Sequence, residues 1–598
     1  GKPLLKLQRH QVFSMKDVPF CGMVLSPLFF CAAIVALAAG EDYVVPPVSL
    51  QSPPYAEWAH YHWVWLSHSA ANQKSAVEYV QEYLDKGIRV GATDIDSTWA
   101  TCSNNFDFDE QKYPNPKGMV DTLHSLNVKV ILWATSMIDE DCGDLYSTAY
   151  DNNYFVRDMF NKRANPIKWW HGKGGLIDYT NPDALKWWHE QLDKVLDIGI
   201  DGWKNDGTDP FVLELVFPRG YGGHYLSHRE YADAYYRDYF YYTREKLGNE
   251  TLIMSRPVDS FDNIVYLSFS PRDVVFSGWV GDQDPTFDGL KDAVKNMLHS
   301  ARANFVGFGS DIGGYRGGKG EYPLGRSKEL LLRWAQLGAF SPLMENGGDN
   351  EHRPWMFDSP ATENDTASAL NIYRTFVNIH YSLVSFFWSE GTQAFASGNS
   401  ILHAPSNDDE YSFTLGQNQD IFVAPMVDDA NWRSILFPAG EQWVDWWQPG
   451  VLYSGGDKVN YSCPLTHFPV FKRVGSILPF NEGQPVAEGG PGRGLRLEFP
   501  GVFGENVHRI LNIHDDKGGI QIVALQEQNT LKISVSATTR PIRLHFSHSS
   551  LTGRVLESGD TTTHLTTVST TFSGGAFITA TPSSLDCRKG CVETLGFA

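Results

Sequence analysis

Two aspartates in this chain stand where a strand gives way to a loop. Gly202-Trp-Lys-Asn-Asp206 reads as a short buried strand ending in a carboxylate, with Gly207 next and Pro210 close behind. Asp282 ends a second such run, Trp279-Val-Gly-Asp, ahead of a helical pattern from Phe287. Paired carboxylates on neighbouring strand ends suit cleavage of a glycosidic bond. One attacks the anomeric carbon, and the other protonates the leaving oxygen, which requires a raised pKa. Each aspartate also has a plain structural reading. Asp206 can cap the following helix or pair with Lys204, and Asp282 can be an N-cap whose pKa the helix dipole lowers. Asp284 competes with Asp282 for its role. This chemistry calls for no metal and no cofactor, because the carboxylates carry it.

The elements that must hold these groups alternate. Short apolar runs at Tyr61–Trp65, Arg89–Asp94, Val128–Trp133, Gly202–Asp206, Thr251–Ser255, Val274–Gly278, Phe305–Gly309 and Ala339–Leu343 read as strands. Helical patterns lie between them at Gln73–Lys86, Asp183–Asp197, Arg229–Lys246, Phe287–Ala301 and Ser327–Gln336. Strand and helix alternating eight times predict a (β/α)8 barrel over residues 41–385, with a doubly wound sheet as the structural alternative. Polar groups at the strand ends favour the barrel: Asp94 and Asp96 after the second, Asp206 at the fourth, Arg256 after the fifth, Asp282 after the sixth, Asp311 after the seventh, and Glu345 with Asn346 after the eighth. In a barrel these converge on one face.

Beyond about Ser385 helical periodicity fades and alternating strands appear, at Tyr411–Leu415, Asp420–Ala424, Ser434–Phe437 and Val470–Arg473. Two all-β domains are expected, a proximal one over 386–485 and a distal one with its tail over 486–598, joined by a Gly- and Pro-rich linker at Gly483–Gly494.

A chain of 598 residues is long enough for several domains. Its net charge of -21 argues against nucleic acid as a partner, since phosphates need a basic surface. The 18 tryptophans fit a cleft that stacks sugar rings, although many must be core. Residues 1–40 read as a leader and a cleaved signal, with an apolar run at Leu25–Leu37 and Ala36-Leu-Ala38 as the small-x-small site. That run is short for a membrane anchor, which is the alternative, and no stable membrane insertion is expected of the mature chain. Secretion or a secretory-pathway or lysosomal lumen follows. It permits disulfides, for which Cys102 with Cys142 and Cys587 with Cys591 are candidate pairs. Sequons at Asn249, Asn364 and Asn460 agree with it.

From Tyr61 to Phe480 the chain resembles glycoside hydrolase family 31, the α-glucosidases, α-xylosidases and α-galactosidase-like enzymes. The likeness rests on the blocks Asp94-Ile-Asp96, Phe106 to Pro116 with Met119 to His124, Trp170 with Asp178-Tyr-Thr-Asn-Pro182, Lys204-Asn-Asp206, Ser255-Arg256, Gly281-Asp-Gln283, Gly309-Ser-Asp-Ile-Gly-Gly314 and Arg333-Trp-Ala-Gln-Leu-Gly-Ala-Phe340. It implies a retaining, exo-acting α-glycosidase working by double displacement, with Asp206 as nucleophile and Asp282 as acid and base. It implies sugar binding by Asp94, Trp170, Arg256 and Asp311, with an oligosaccharide or glycoside as substrate. A non-catalytic carbohydrate-binding protein on the same scaffold, a transglycosidase and a glycan lyase are the alternatives.

The chain departs from the family at Lys204, where a Trp is usual, and at Glu345-Asn-Gly347, where Arg-x-His is usual. His352 and Arg353 are candidates to replace the lost pair. The β-sandwich that ordinarily precedes the barrel is not recognised here. Lys204 and Glu345 are expected on the active-site face, either contacting the sugar or pairing with each other. As sugar contacts they would disfavour maltose-type α-glucosides, with α-galactoside ranked first and α-xyloside second.

Overall fold

The structure, a computed structural model, describes residues 56–596 except 68–70, 257–269, 319, 363–364, 406–408, 483–493, 502–507, 515–518, 528–529, 537–539, 541, 547–553, 559–560, 563–575 and 579–590. The expected signal, the Asn364 sequon, the Cys587 pairing and most of the linker lie outside the described residues.

Eight parallel places close into a barrel. The first five strands are His62–Leu66, Ala92–Ile95, Lys129–Ala134, Gly202–Asn205 and Leu252–Ser255. Each pairs in parallel with the next, and the eighth, Met344–Asn346, pairs with the first. Places six and seven are single parallel bridges: Met254 to Ser277, Trp279 to Gly309 and Asp311 to Glu345. The strands expected at Val274–Gly278 and Phe305–Gly309 are thus corrected to bridges. Gly278 and Gly309 press against the carbonyls of Ser255 and Leu343, where a Cβ would collide. Glycine permits that approach and gives the ladder no side chain to pack.

The eighth strand also differs from expectation and lies beyond Ala339–Leu343. The helix Lys328–Ala339 runs past its expected end and takes up Ala339. Pro342 then has no N–H to offer a ladder.

The other expected helices form nearly as read, at Gln73–Asp85, Pro182–Leu196, His228–Leu247 and Phe287–Arg302. Their starts are written in the sequence. Asn72 and Ser75 cap each other reciprocally, as do Ser227 and Glu230, and Asn181 caps a helix whose first residue is Pro182.

Two additions to the barrel shape its rim. Cys102 and Cys142 are bridged, with Cα atoms 5.6 Å apart, which ties the loop after the second strand to the one after the third. A small antiparallel sheet of Met137–Asp139, Ile167–Lys168 and Lys173–Leu176 carries Trp169, Trp170 and His171 in its turn.

Past the barrel two boundaries move. Helix Val384–Ser397 crosses the expected border at 385–386. Its polar residues Ser385, Ser389 and Glu390 are buried along with the apolar ones, so the sequence does not mark a solvent face. Leu478–Glu482 pairs with Gly494–Phe499 and so belongs to the distal sheet rather than to the proximal domain. The proximal domain is all-β, with a six-stranded sheet and a two-stranded antiparallel sheet of Trp432–Leu436 with Lys458–Ser462. The distal domain stacks two sheets over one core that includes Leu495, Leu497 and Phe499 from one and Ile520, Ile522 and Ile533 from the other. Among the described residues no helix is long and apolar enough to cross a membrane.

Candidate active site

Side chains two apart on a strand share a face. On the second strand and its exit, that places Asp94 and Asp96 inward at two depths. On the fourth, it places Lys204 and Asp206 likewise. Register sets Asp94 beside Trp65 and Ile131, and Lys204 beside Trp133. A cavity of about 380 Å³ opens above them, within the range of small-ligand sites. Its walls include Trp133, Trp170, His171 and Trp279, with Asp206, Arg256 and Asp282 at one end and Asp96, Ser97, Lys204 and Tyr315 at the other.

At the first end one guanidinium spans both candidate catalytic carboxylates. Arg256 Nε donates to Asp206 Oδ1 at 2.6 Å, and its Nη1 donates to Asp282 Oδ1 at 3.3 Å. Asp206 also accepts from Trp133 Nε1 at 3.1 Å and from the Gly207 amide at 2.8 Å. Burial pushes the Asp206 carboxyl up, but Arg256, the Trp133 hydrogen bond and the Lys204 charge outweigh it and hold the group below the usual carboxylate range. Asp206 is therefore an anion at neutral pH, as attack on carbon requires. Asp282 is the more open of the two, its side chain 20% exposed against 8% for Asp206. The competitor Asp284 lies outside the cavity lining and pairs with Arg316 at 3.6 Å.

At the other end Lys204 is caged. Its Nζ stands 3.1 Å from Asp94 Oδ2 and 3.0 Å from Asp96 Oδ2. It also lies 3.9 Å above the centre of the Trp65 ring and 4.8 Å from that of Trp279. Burial alone would lower its pKa. Asp96, Asp94, Asp311 and Glu345 together raise it well above the ordinary lysine value. The acids respond to the same crowding. Burial, with Asp96 and Glu345 adding to it against the pull of Lys204, raises Asp94 to about 8. Burial raises Glu345 to about 7, and Asp311 is raised well above its usual range by burial and by Glu345.

Most of the expected site residues meet here. Asp206, Asp282, Arg256, Trp170 and Lys204 line the cavity. Asp94, Asp311 and Glu345 do not; they ring the Lys204 ammonium and are almost wholly buried. Lys204 ion-pairs with Asp94 and Asp96, whereas Glu345 acts on it through charge alone. His352 and Arg353 replace nothing in the cavity. His352 is buried against Asn346 and the Ile312 carbonyl, and Arg353 pairs with Glu82 and Glu351. Trp203 is core and donates to Thr243. Sequence reasoning assigned no role to Trp133, His171, Trp279 or Tyr315. Trp133 and Trp279 do stand at the ends of expected strands, and that position was the available signal.

An acidic pair on the C-terminal rim of a parallel barrel, inside an aromatic-walled cavity, marks a carbohydrate-processing class. The family comparison narrows it: residues 51–390 match the glycosyl hydrolases family 31 TIM-barrel domain, and 387–478 match the family 31 C-terminal domain. The chain belongs to glycosyl hydrolase family 31. It is 27% identical over 408 residues to an isomaltosyltransferase of Sporosarcina globispora, covering 63% of this chain and 35% of the relative. It is 20% identical to an alpha-xylosidase of Emericella nidulans, covering 80% and 63%. A Flavobacterium johnsoniae family 31 dextranase, solved with glucose, superposes with a TM-score of 0.75 at 20% identity, covering 92% of this chain and 71% of that one. The chain thus spans between about a third and two thirds of the length of these curated relatives.

Proposed function

We propose that the protein is a retaining, exo-acting α-glycosidase that removes a terminal α-linked sugar by double displacement. Asp206 attacks the anomeric carbon while Asp282 gives its proton to the leaving oxygen. Asp282 then takes a proton from water, which attacks the glycosyl-enzyme and releases the sugar with its configuration retained. The observation that carries this reading is the Arg256 bridge, which sets both carboxylates within the reach of one guanidinium and keeps Asp206 ionised.

The test is turnover of the 4-nitrophenyl α-glucoside, α-galactoside, α-xyloside and α-sulfoquinovoside, with the first-formed anomer read by NMR. The α-anomer is expected from at least one of them. A first-formed β-anomer, or no turnover of any, contradicts the reading.

A second reading, transfer of the sugar to another sugar, is supported by the isomaltosyltransferase relative and by a second cavity of about 330 Å³ that shares Trp133 and His171 with the first. It offers room for an acceptor beside the catalytic pair. Disaccharide products growing with added acceptor sugar would favour it over hydrolysis.

We also read the chain as passing through the secretory pathway. The Cys102–Cys142 bridge and the exposed sequons at Asn249 and Asn460 support this. A mass decrease on treatment with an N-glycosidase would bear it out, and an unchanged mass would count against it.

A further inference from the structure

Lys204 occupies a place for which the catalytic cycle has no use. Its side chain crosses from the fourth strand to the second and forms part of the cavity end away from Arg256 and Asp282. A sugar whose anomeric carbon lies at Asp206 must extend its far edge toward that end. An ammonium carries three N–H donors. Asp96 accepts one of them at 3.0 Å, and Asp94 stands in ion-pair contact with the ammonium at 3.1 Å. Lys204 and Asp96 both line the cavity. Behind them both carboxylate oxygens of Asp311 and of Glu345 are buried without a hydrogen-bond partner. Those acids face Lys204 rather than the cavity, and without its charge they would stand uncompensated.

We propose that Lys204 is the specificity-determining residue of this site: its free N–H donates to the hydroxyl on the ring carbon opposite the anomeric carbon, while Asp96 accepts from that same hydroxyl. This rests on the glycosidase reading above, which fixes the direction of the sugar. The ammonium also seals Asp94, Asp311 and Glu345 from the ligand, so these acids do not read hydroxyls themselves. The ligand class is a neutral pyranose with a free hydroxyl at that carbon.

The probes are the 4-nitrophenyl α-galactoside, the α-glucoside and the 4-deoxy hexoside, a single compound that lacks the hydroxyl by which the two epimers differ. Wild type should prefer one epimer over the 4-deoxy compound by about 100-fold or more in kcat/KM, because its buried donor and acceptor are left unpaired without the hydroxyl. Lys204→Met should bring that ratio to within about threefold. Equal loss on all three substrates, or retention of the wild-type ratio in the variant, would overturn the proposal. Should Lys204→Met fail to fold in a thermal melt, the wild-type ratio alone decides, and a value below about threefold rejects the assignment. Calorimetric binding of free galactose, glucose and 4-deoxy sugar separates the two readings. If wild type turns over no α-hexoside, the glycosidase reading fails. Lys204 then stands or falls on whether one epimer binds at least about tenfold tighter than the 4-deoxy sugar.

Discussion

The two ends of the cavity solve opposite problems with the same kinds of group. At one end a single cation, Arg256, faces two carboxylates, and Asp206 is held below the usual carboxylate range as an anion. At the other a single cation, Lys204, faces four, and Asp94, Glu345 and Asp311 are all pushed toward holding protons. Burial raises the carboxyls in both places; Arg256, the Trp133 hydrogen bond and the Lys204 charge outweigh it at Asp206, whereas neighbouring acids add to it at Asp94 and Asp311. The first end therefore keeps a nucleophile charged. The second is a polar floor of carboxyl groups gathered around one ammonium.

The comparison breaks most visibly at the catalytic end. Asp206→Asn should lower kcat by roughly four orders of magnitude or more with the thermal midpoint nearly unchanged, since the amide keeps the shape but cannot form the glycosyl-enzyme. Asp282→Asn should cost about 10²–10⁴-fold on poor leaving groups and much less on 4-nitrophenoxide, which needs little protonation. Equal loss on both kinds of substrate would remove Asp282 from the acid role.

A smaller effect sharpens the role of Arg256. Removing its charge in Arg256→Met takes away what holds the Asp206 carboxyl down, so that pKa rises. The acidic limb of kcat/KM should then move up by roughly 1–3 pH units, measured on the activated aryl glycoside. A limb that stays in place would mean that Arg256 does not set the nucleophile's ionisation.

The smallest effect lies at the Lys204 end and is thermodynamic. Glu345 is raised from 4.5 to about 7, so between those values the folded state binds more proton than the unfolded one. The contribution is then fully present below pH 4.5 and is lost as pH rises through about 7. Glu345→Gln lacks this term. Its unfolding free energy relative to wild type should therefore grow as pH rises from 4.5 to 7, read by urea titration at several pH values. A difference independent of pH would show that Glu345 ionises in the fold as it does in the unfolded chain.

How much of this was legible in sequence follows from how local each cause is. Helix starts were readable because Asn72, Asn181 and Ser227 act on their own first turns. The Cys102–Cys142 bridge was readable because its two loops follow consecutive strands. Asp206, Asp282 and Arg256 were readable because strand ends of a barrel share one rim. The sixth and seventh places were misjudged because Gly278 and Gly309 are shaped by the backbone of a neighbour distant in sequence. Helix Val384–Ser397 was missed because part of its polar face, Ser385, Ser389 and Glu390, is buried rather than turned to solvent. The Lys204 cage was out of reach for the same reason of distance. Lys204, Asp94, Asp96, Asp311 and Glu345 come from four different barrel places, and depth in the barrel, which decides who meets the sugar and who meets Lys204, leaves no trace in spacing.

The most direct measurement is covalent trapping. Wild type incubated with 5-fluoro-α-glycosyl fluorides of glucose, galactose and xylose, then digested and mapped by mass spectrometry, should carry one glycosyl group on the peptide containing Asp206, and Asp206→Asn should carry none. A label on any other carboxylate, or steady release of the fluorosugar by Asp206→Asn at the wild-type rate, would contradict the assignment of the nucleophile.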